Sequence, residues 1–188
     1  MHVQEGSTLW RVYRVGGRHG TTWRTFRTYG PVAHGRLDPH PLPLGDHPGF
    51  GVLYGALDIA TAIAESFGDE RFVDRRRDRP YLVGVSLVRV MHLLDFASDW
   101  PTRAGGSQAI SSGPRPTAQN WSRVIHEELD EDGIAYPSSM KGHGTNVALY
   151  ARAEAVLATT PTLNLPLDHP ALELPLIRVA TSLGYGIA

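Results

Sequence analysis

The sequence predicts an α+β fold, and three observations lead there. Candidate strands outnumber candidate helices. The helices do not alternate regularly with the strands, as a doubly wound parallel sheet would require. Two long stretches, residues 16–50 and 98–116, are punctuated by Gly, Pro and Ser and follow neither the helical nor the strand period.

In chain order, Leu9–Val15 reads as the first strand, with Val and aromatic side chains on both faces. Gly16-Gly17, Gly30-Pro31, Pro39, Pro41, Pro43 and Pro48-Gly49 interrupt the next segment. Irregular stretches of that length inside a domain are usually functional. Gly51–Gly55 is a short strand. Asp58 then caps a helix that sets Ile59, Ala62, Ile63, Ser66 and Phe67 along one face. Residues 69–79 carry five Arg against four acidic side chains, a nearly neutral run that reads as a solvated connection. Tyr81–Val88 and Val90–Leu94 read as strands. Thr117 is the expected cap of a helix with Trp121, Val124, Ile125 and Leu129 inward, stopped by Gly133. Gly133–Tyr136, Asn146–Tyr150 and Ala153–Ala158 read as further strands, and Asn164-Leu-Pro166 breaks a Leu- and Pro-rich tail. There is no internal repeat, and residues 1–188 read as a single domain.

Composition narrows the chemistry. Apolar residues make up 41% of the chain and charged residues 20%, which suits a globular core. There is no cysteine, so disulfides, thiolate metal sites and a cysteine nucleophile are excluded. A net charge of −1 argues against gripping nucleic acid over a broad surface. The 18 basic residues are 17 Arg and the single Lys141, and Arg is shaped for bidentate contact with phosphate or carboxylate. No apolar run is long enough for a membrane span, and the start lacks a secretory pattern, so a cytoplasmic location is expected.

Common motifs are absent. His34, Asp38, His40, Asp46 and His47 lie close together, but prolines between them prevent a helical metal site, and no metal is expected. No Gly-x-Ser-x-Gly elbow, phosphate loop or Gly-x-Gly-x-x-Gly turn is present. What remains is a set of separated polar residues: Arg11 in a strand, Arg36 beside Gly35, Tyr54 at a strand end and Glu65 on a helix. Taken singly, Arg11 reads as half of an ion pair, Tyr54 as core and Glu65 as solvated. The glycine before Arg36 would allow close approach of a ligand.

Taken together, they follow a pattern. Leu9-Trp-Arg-Val-Tyr13, Gly35-Arg-Leu-Asp-Pro39, Val52–Glu65, Gly133-Ile-Ala-Tyr-Pro-Ser138 and Asn146-Val-Ala-Leu-Tyr150 occur in this order, and the chain resembles the RES domain family. The resemblance covers about residues 9–158 and leaves 159–188 as a tail. It implies an ADP-ribosyltransferase-like core of two packed, mainly antiparallel sheets with flanking helices and an NAD-binding cleft. It also implies a toxin, encoded with an Xre-like helix-turn-helix antitoxin, that consumes NAD⁺ by hydrolysis, phosphorolysis or transfer of ADP-ribose to a protein. By the same resemblance Arg11, Arg36 and Asn146 hold the dinucleotide, Tyr54 lies against nicotinamide or its ribose, and Glu65 is the acidic catalytic residue. Ser138 fits the family's Tyr-Pro-Ser pattern, while Ser122 matches a serine of some members, so both stand as catalytic candidates. Where many members read Gly-Gly-Arg-Trp-Asn, this chain has Gly-Arg-Leu-Asp-Pro. Homodimers or larger antitoxin complexes are common among such proteins.

The chemistry suits these residue types. Cleaving the nicotinamide–ribose bond builds positive charge on the ribose, which a carboxylate can stabilise. An Arg fork can fix the pyrophosphate. NAD⁺ would be a consumed substrate needing no metal. Two alternatives from other classes remain: a non-enzymatic partner-binding module using the long loops, and an RNA-cleaving toxin drawing on nine histidines.

Overall fold

The structure, a computed structural model, describes all 188 residues. Its strands are β1 (His2–Val3), β2 (Thr8–Arg14), β3 (Tyr29–Gly30), β4 (Gly45–Asp46), β5 (Val52–Ala56), β6 (Phe72–Val73), β7 (Pro80–Ser86), β8 (Met91–Asp95), β9 (Gly133–Pro137), β10 (Thr145–Tyr150), β11 (Leu163–Pro166) and β12 (Gly186–Ile187). Its helices are α1 (Ile59–Phe67), α2 (Trp100–Arg103), α3 (Arg115–Glu128) and α4 (Glu173–Leu183). None is long and apolar enough to cross a membrane.

Eight strands form one sheet in the order β1-β8-β9-β10-β5-β2-β7-β11, antiparallel throughout except for β8 beside β9. The join between β5 and β2 is unlike its neighbours. β2 pairs with β7 over its whole length, from Thr8 opposite Ser86 to Arg14 opposite Pro80. β5 pairs with β10 from Val52 to Ala56. Between β5 and β2 the only pair is Trp10 opposite Ala56. The two sheets expected from the family resemblance are therefore two arms of one ladder, which part at this point.

Apolar side chains fill three regions around the arms. Leu9, Leu53, Val83, Val85, Met91, Leu93, Val147 and Leu149 pack on one side of the sheet. Leu37, Val52, Phe96, Ile125, Ile134, Ala148 and Tyr150 pack between the longer arm and α3. Ile63, Phe67, Val73, Leu82, Leu167, Leu172, Leu176 and Ala180 join α1, the shorter arm and α4. Burial of this apolar surface is the main force holding the layers together.

Three sequence expectations need correction. Helix α3 starts at Arg115, with Pro116 in its first turn, so Thr117 lies inside the helix and does not cap it. Its inward residues are Ala118, Ser122 and Ile125, while Val124 and Leu129 remain 39% and 36% exposed. The expected strand Ala153–Ala158 is a 3₁₀ helix over Ala151–Val156; a short apolar run fits a buried turn of helix as well as a strand. Asn164-Leu-Pro166 forms β11 where a break was expected. It pairs with β7, and Asn164 Oδ1 accepts from the Tyr13 hydroxyl at 2.8 Å. Pro166 is tolerated because β11 is the sheet's last strand.

The tail is thus part of the core. Leu176 is 1% exposed, and Gly184 ends α4 in the left-handed conformation at φ 70°. Leu176→Ala is expected to lower stability by about 2–5 kcal/mol, measured as a fall in the urea midpoint. A midpoint equal to the parent's would mean that α4 is dispensable.

Candidate active site

A cleft of about 200 Å³ opens where the two arms part. Trp10, Arg11 and Val12 from β2 line one wall, and Tyr54, Gly55 and Ala56 from β5 line another. Helix α1 supplies Ala62, Glu65 and Ser66, while β9 and β10 supply Tyr136 and Asn146. Four of the residues implied by the resemblance, Arg11, Tyr54, Glu65 and Asn146, therefore meet in one place.

Arg11 bridges the gap in the ladder. Its Nη1 donates to the Tyr54 carbonyl at 3.4 Å, across the stretch where β2 and β5 are no longer paired. Its Nε is buried and has no hydrogen-bond partner. Burial and, next, the charge of Arg27 push this guanidinium down to about 10. The ion pair expected of Arg11 taken singly is not formed. Arg24, Arg27, Arg77, Arg89 and Arg123 each meet a carboxylate, and Arg11 meets none. A buried cation of this kind favours an incoming anion.

Glu65 is set by α1 and by the loop after β9. The Asp58 side chain caps α1, accepting from the Thr61 amide at 2.8 Å and the Thr61 hydroxyl at 2.6 Å, as its position in the sequence suggests. The loop 138–144 rests on the same end: Lys141 Nζ lies 3.7 Å from Asp58. A Cβ on Gly144 would come within 2.6 Å of the Thr61 hydroxyl, so a glycine is needed there for the loop to sit this close. The loop delivers Ser138, whose hydroxyl accepts from the Met140 and Lys141 amides at 3.1 and 3.0 Å. That hydroxyl donates to Glu65 Oε1 at 2.6 Å, and Asn146 Nδ2 donates to the same oxygen at 2.7 Å. Oε2 makes no hydrogen bond within the protein. The carboxylate is thus held by one oxygen and free at the other.

Tyr54 contributes its ring to the cleft, while its hydroxyl is engaged elsewhere. The hydroxyl donates to Asp38 Oδ1 at 2.7 Å and accepts from the Leu37 amide at 3.1 Å. Burial and the Asp38 charge raise its pKa well above the usual tyrosine range. Asp38 is fully buried; it also accepts from Arg27 Nη2 at 2.6 Å and the Val32 amide at 2.8 Å. A Cβ on Gly35 would overlap this carboxylate. The glycine expected to admit a ligand beside Arg36 makes room for Asp38 instead.

Arg36 lies on the loop so held, near the cleft and outside its lining, with Nη1 donating to the Gly113 carbonyl at 2.7 Å. Its charge reaches Tyr136. Ser122 is not brought to the cleft. It is fully buried in α3, donates to the Leu37 carbonyl at 2.8 Å and lies 3.2 Å from the Tyr150 hydroxyl. Its position fits a structural role, supporting the loop together with Gln119, which donates to the Val32 and Gly35 carbonyls at 2.9 and 2.8 Å. Sequence reasoning missed Asp38 as the loop's anchor, because five neighbouring His and Asp residues suggested only a weak metal pattern. It also gave no role to Tyr136, although the residue lies in a quoted motif and pairs across the ladder with Asn146.

Comparison with known proteins adds to this geometry. The sequence model of the RES domain matches residues 8–168. No curated protein matches the chain. Among solved structures, the chain is similar to one from the M. tuberculosis MbcT-MbcA toxin-antitoxin complex. The two share 15% identity over 93% of this chain and 91% of that one, with a TM-score of 0.59. Likeness at that identity concerns the fold, and it fits the α+β, ADP-ribosyltransferase-like architecture.

Arg11→Met keeps the apolar stem and removes the unpaired charge. It is expected to raise Tm by about 2–4 °C, corresponding to roughly 1 kcal/mol in a chain of this size. Inorganic pyrophosphate should raise Tm of the parent and leave the variant unchanged. Equal shifts in both, followed by scanning calorimetry, would show that the anion binds somewhere else.

Proposed function

The chain belongs to the RES domain family, and on that premise we propose that it cleaves NAD⁺ at the nicotinamide–ribose bond, as the toxin of a toxin–antitoxin pair. One observation carries the reading: a half-buried guanidinium that meets no carboxylate and a carboxylate with one free oxygen face the same cleft. A dinucleotide joined by a pyrophosphate presents both complements, an anion for Arg11 and a ribose hydroxyl for Glu65.

In this proposal the cleft takes the nicotinamide–ribose half of the substrate, since about 200 Å³ leaves no space for the whole molecule. Arg11 holds the pyrophosphate with charge-assisted hydrogen bonds, and Arg36 adds positive potential near Tyr136. The ring of Tyr54 lies against nicotinamide or its ribose. Nicotinamide departs with the electron pair of the glycosidic bond, and the ribose becomes oxocarbenium-like. Glu65 Oε2 accepts a hydrogen bond from a ribose hydroxyl and sets a negative charge beside the growing positive one. Ser138 and Asn146 keep the carboxylate from turning away, so little reorganisation is needed as charge develops. Water, phosphate or a protein side chain then attacks the ribose carbon, giving ADP-ribose, its phosphate ester or a modified protein.

The toxin reading includes a partner. We infer an Xre-like helix-turn-helix antitoxin as that partner; the solved neighbour, which comes from a toxin–antitoxin complex, supports an antitoxin partner.

The test is release of nicotinamide from NAD⁺ by purified protein, with and without phosphate. Glu65→Gln retains an acceptor for Asn146 and Ser138 but loses the charge, so turnover should fall by about 100-fold or more with Tm preserved. Nicotinamide release by this variant at the parent rate would remove the carboxylate from the mechanism.

A further inference from the structure

The cleft is lined by two tyrosines whose hydroxyl groups are in opposite situations. That of Tyr54 is consumed by Asp38 and the Leu37 amide. That of Tyr136 makes no hydrogen bond within the protein; the side chain is half-buried in the cleft wall and its hydroxyl reaches solvent. A tyrosine whose ring packs in a wall while its hydroxyl reaches the cleft presents a free donor to whatever occupies that cleft.

Its neighbours indicate what it serves. Tyr136 stands opposite Asn146 in the ladder between β9 and β10, and Asn146 holds Glu65. The charges acting on the phenol are Glu65 from α1, Arg36 from the loop and, after these, Asp38. Partial desolvation in the cleft wall and the Glu65 charge keep its proton in place, with a pKa above the usual tyrosine range. It can therefore act as a donor at any physiological pH. We propose that Tyr136 is a ligand-contacting residue of this cleft, and that its phenol donates a hydrogen bond to the ribose hydroxyl whose own proton points to Glu65 Oε2. That hydroxyl is then a donor to the carboxylate and an acceptor from the phenol, and its direction is fixed at both ends. The inference rests on the NAD⁺ reading of the cleft for the identity of the ribose.

The test compares the parent, Tyr136→Phe and Tyr54→Phe, using ADP-ribose in calorimetry as the probe and NAD⁺ in turnover. Tyr136→Phe should leave Tm within about 1 °C of the parent, because no internal hydrogen bond is lost. It should weaken ADP-ribose binding about tenfold, the scale of one hydrogen bond, and lower kcat/KM for NAD⁺ by at least as much. Tyr54→Phe should instead lower Tm, since Asp38 loses a donor. Equal ADP-ribose affinity in the parent and Tyr136→Phe would overturn the proposal, and so would no binding to the parent. A Tm drop in Tyr136→Phe matching that of Tyr54→Phe would do the same, by showing that the phenol is bonded inside the protein. A parent that binds ADP-ribose tenfold more tightly than Tyr136→Phe but never cleaves NAD⁺ would uphold the contact and refute the enzymatic reading. Unchanged affinity and turnover in Tyr136→Phe, with an active parent, would refute the contact and uphold the enzyme.

Discussion

The site depends on an unfinished ladder. A sheet gains stability by pairing each strand along its length, and β2 does so with β7 but meets β5 only at Trp10 and Ala56. Backbone groups beyond that point need other partners, because buried carbonyls and amides are rarely left unsatisfied. Arg11 meets part of this need by reaching across to the Tyr54 carbonyl. The same divergence opens a concavity between two arms that are otherwise densely packed. A fully paired sheet would close the cleft and displace Arg11 from its position. Loss of regular pairing and the gain of a site are thus one structural event.

The long loop before β5 is irregular in backbone yet firmly placed, and its order comes from a single buried carboxylate. Asp38 gathers Arg27, the Val32 amide and the Tyr54 hydroxyl, so the loop is tied at once to its own start and to the cleft wall. Gln119 and Ser122 on α3 hold the loop's carbonyls from the other side. A charge is costly to bury, and three donors make this one tolerable. Arg36 is positioned through this network, which explains how an arginine far from the sheet in sequence can lie near Tyr136. It also accounts for the departure from the usual family motif: the Asp two residues after Arg36 is what the loop is built around.

Much of this was legible in the sequence, where local chemistry decides the outcome. The Asp58 cap, the α1 face and the strands around Leu9, Val52 and Val147 follow from residue type and spacing, because capping and alternation are short-range effects. Family motifs supplied the residues that meet in the cleft, which no spacing rule could have joined. Other features depended on distant partners. Whether Ala153–Val156 coils or extends is set by what covers it. The extended form of Asn164-Leu-Pro166 comes from pairing with β7 and from the Tyr13 hydroxyl, more than eighty residues earlier. Ser122 and Ser138 could not be separated by motif alone. The difference is geometric, since one is buried on α3 against the Leu37 carbonyl and the other lies against Glu65.

The arginine surplus has a similar resolution. Seventeen arginines and one lysine suggest a chain rich in phosphate contacts, but charge that already meets a carboxylate has little left for a ligand. Arg24, Arg27, Arg77, Arg89 and Arg123 are paired in this way. Arg11 combines burial, an unpaired nitrogen and the absence of a carboxylate partner at the one point where the sheet opens. In the same cleft, the exposed Glu65 holds one oxygen on Ser138 and Asn146 and leaves the other open. Arg11 is half-buried without a carboxylate, whereas Glu65 is exposed and its second oxygen stands open to a hydroxyl. A molecule bearing both an anion and a hydroxyl meets both groups at once. The juxtaposition of these two groups, more than the number of basic residues, defines what the cleft can bind.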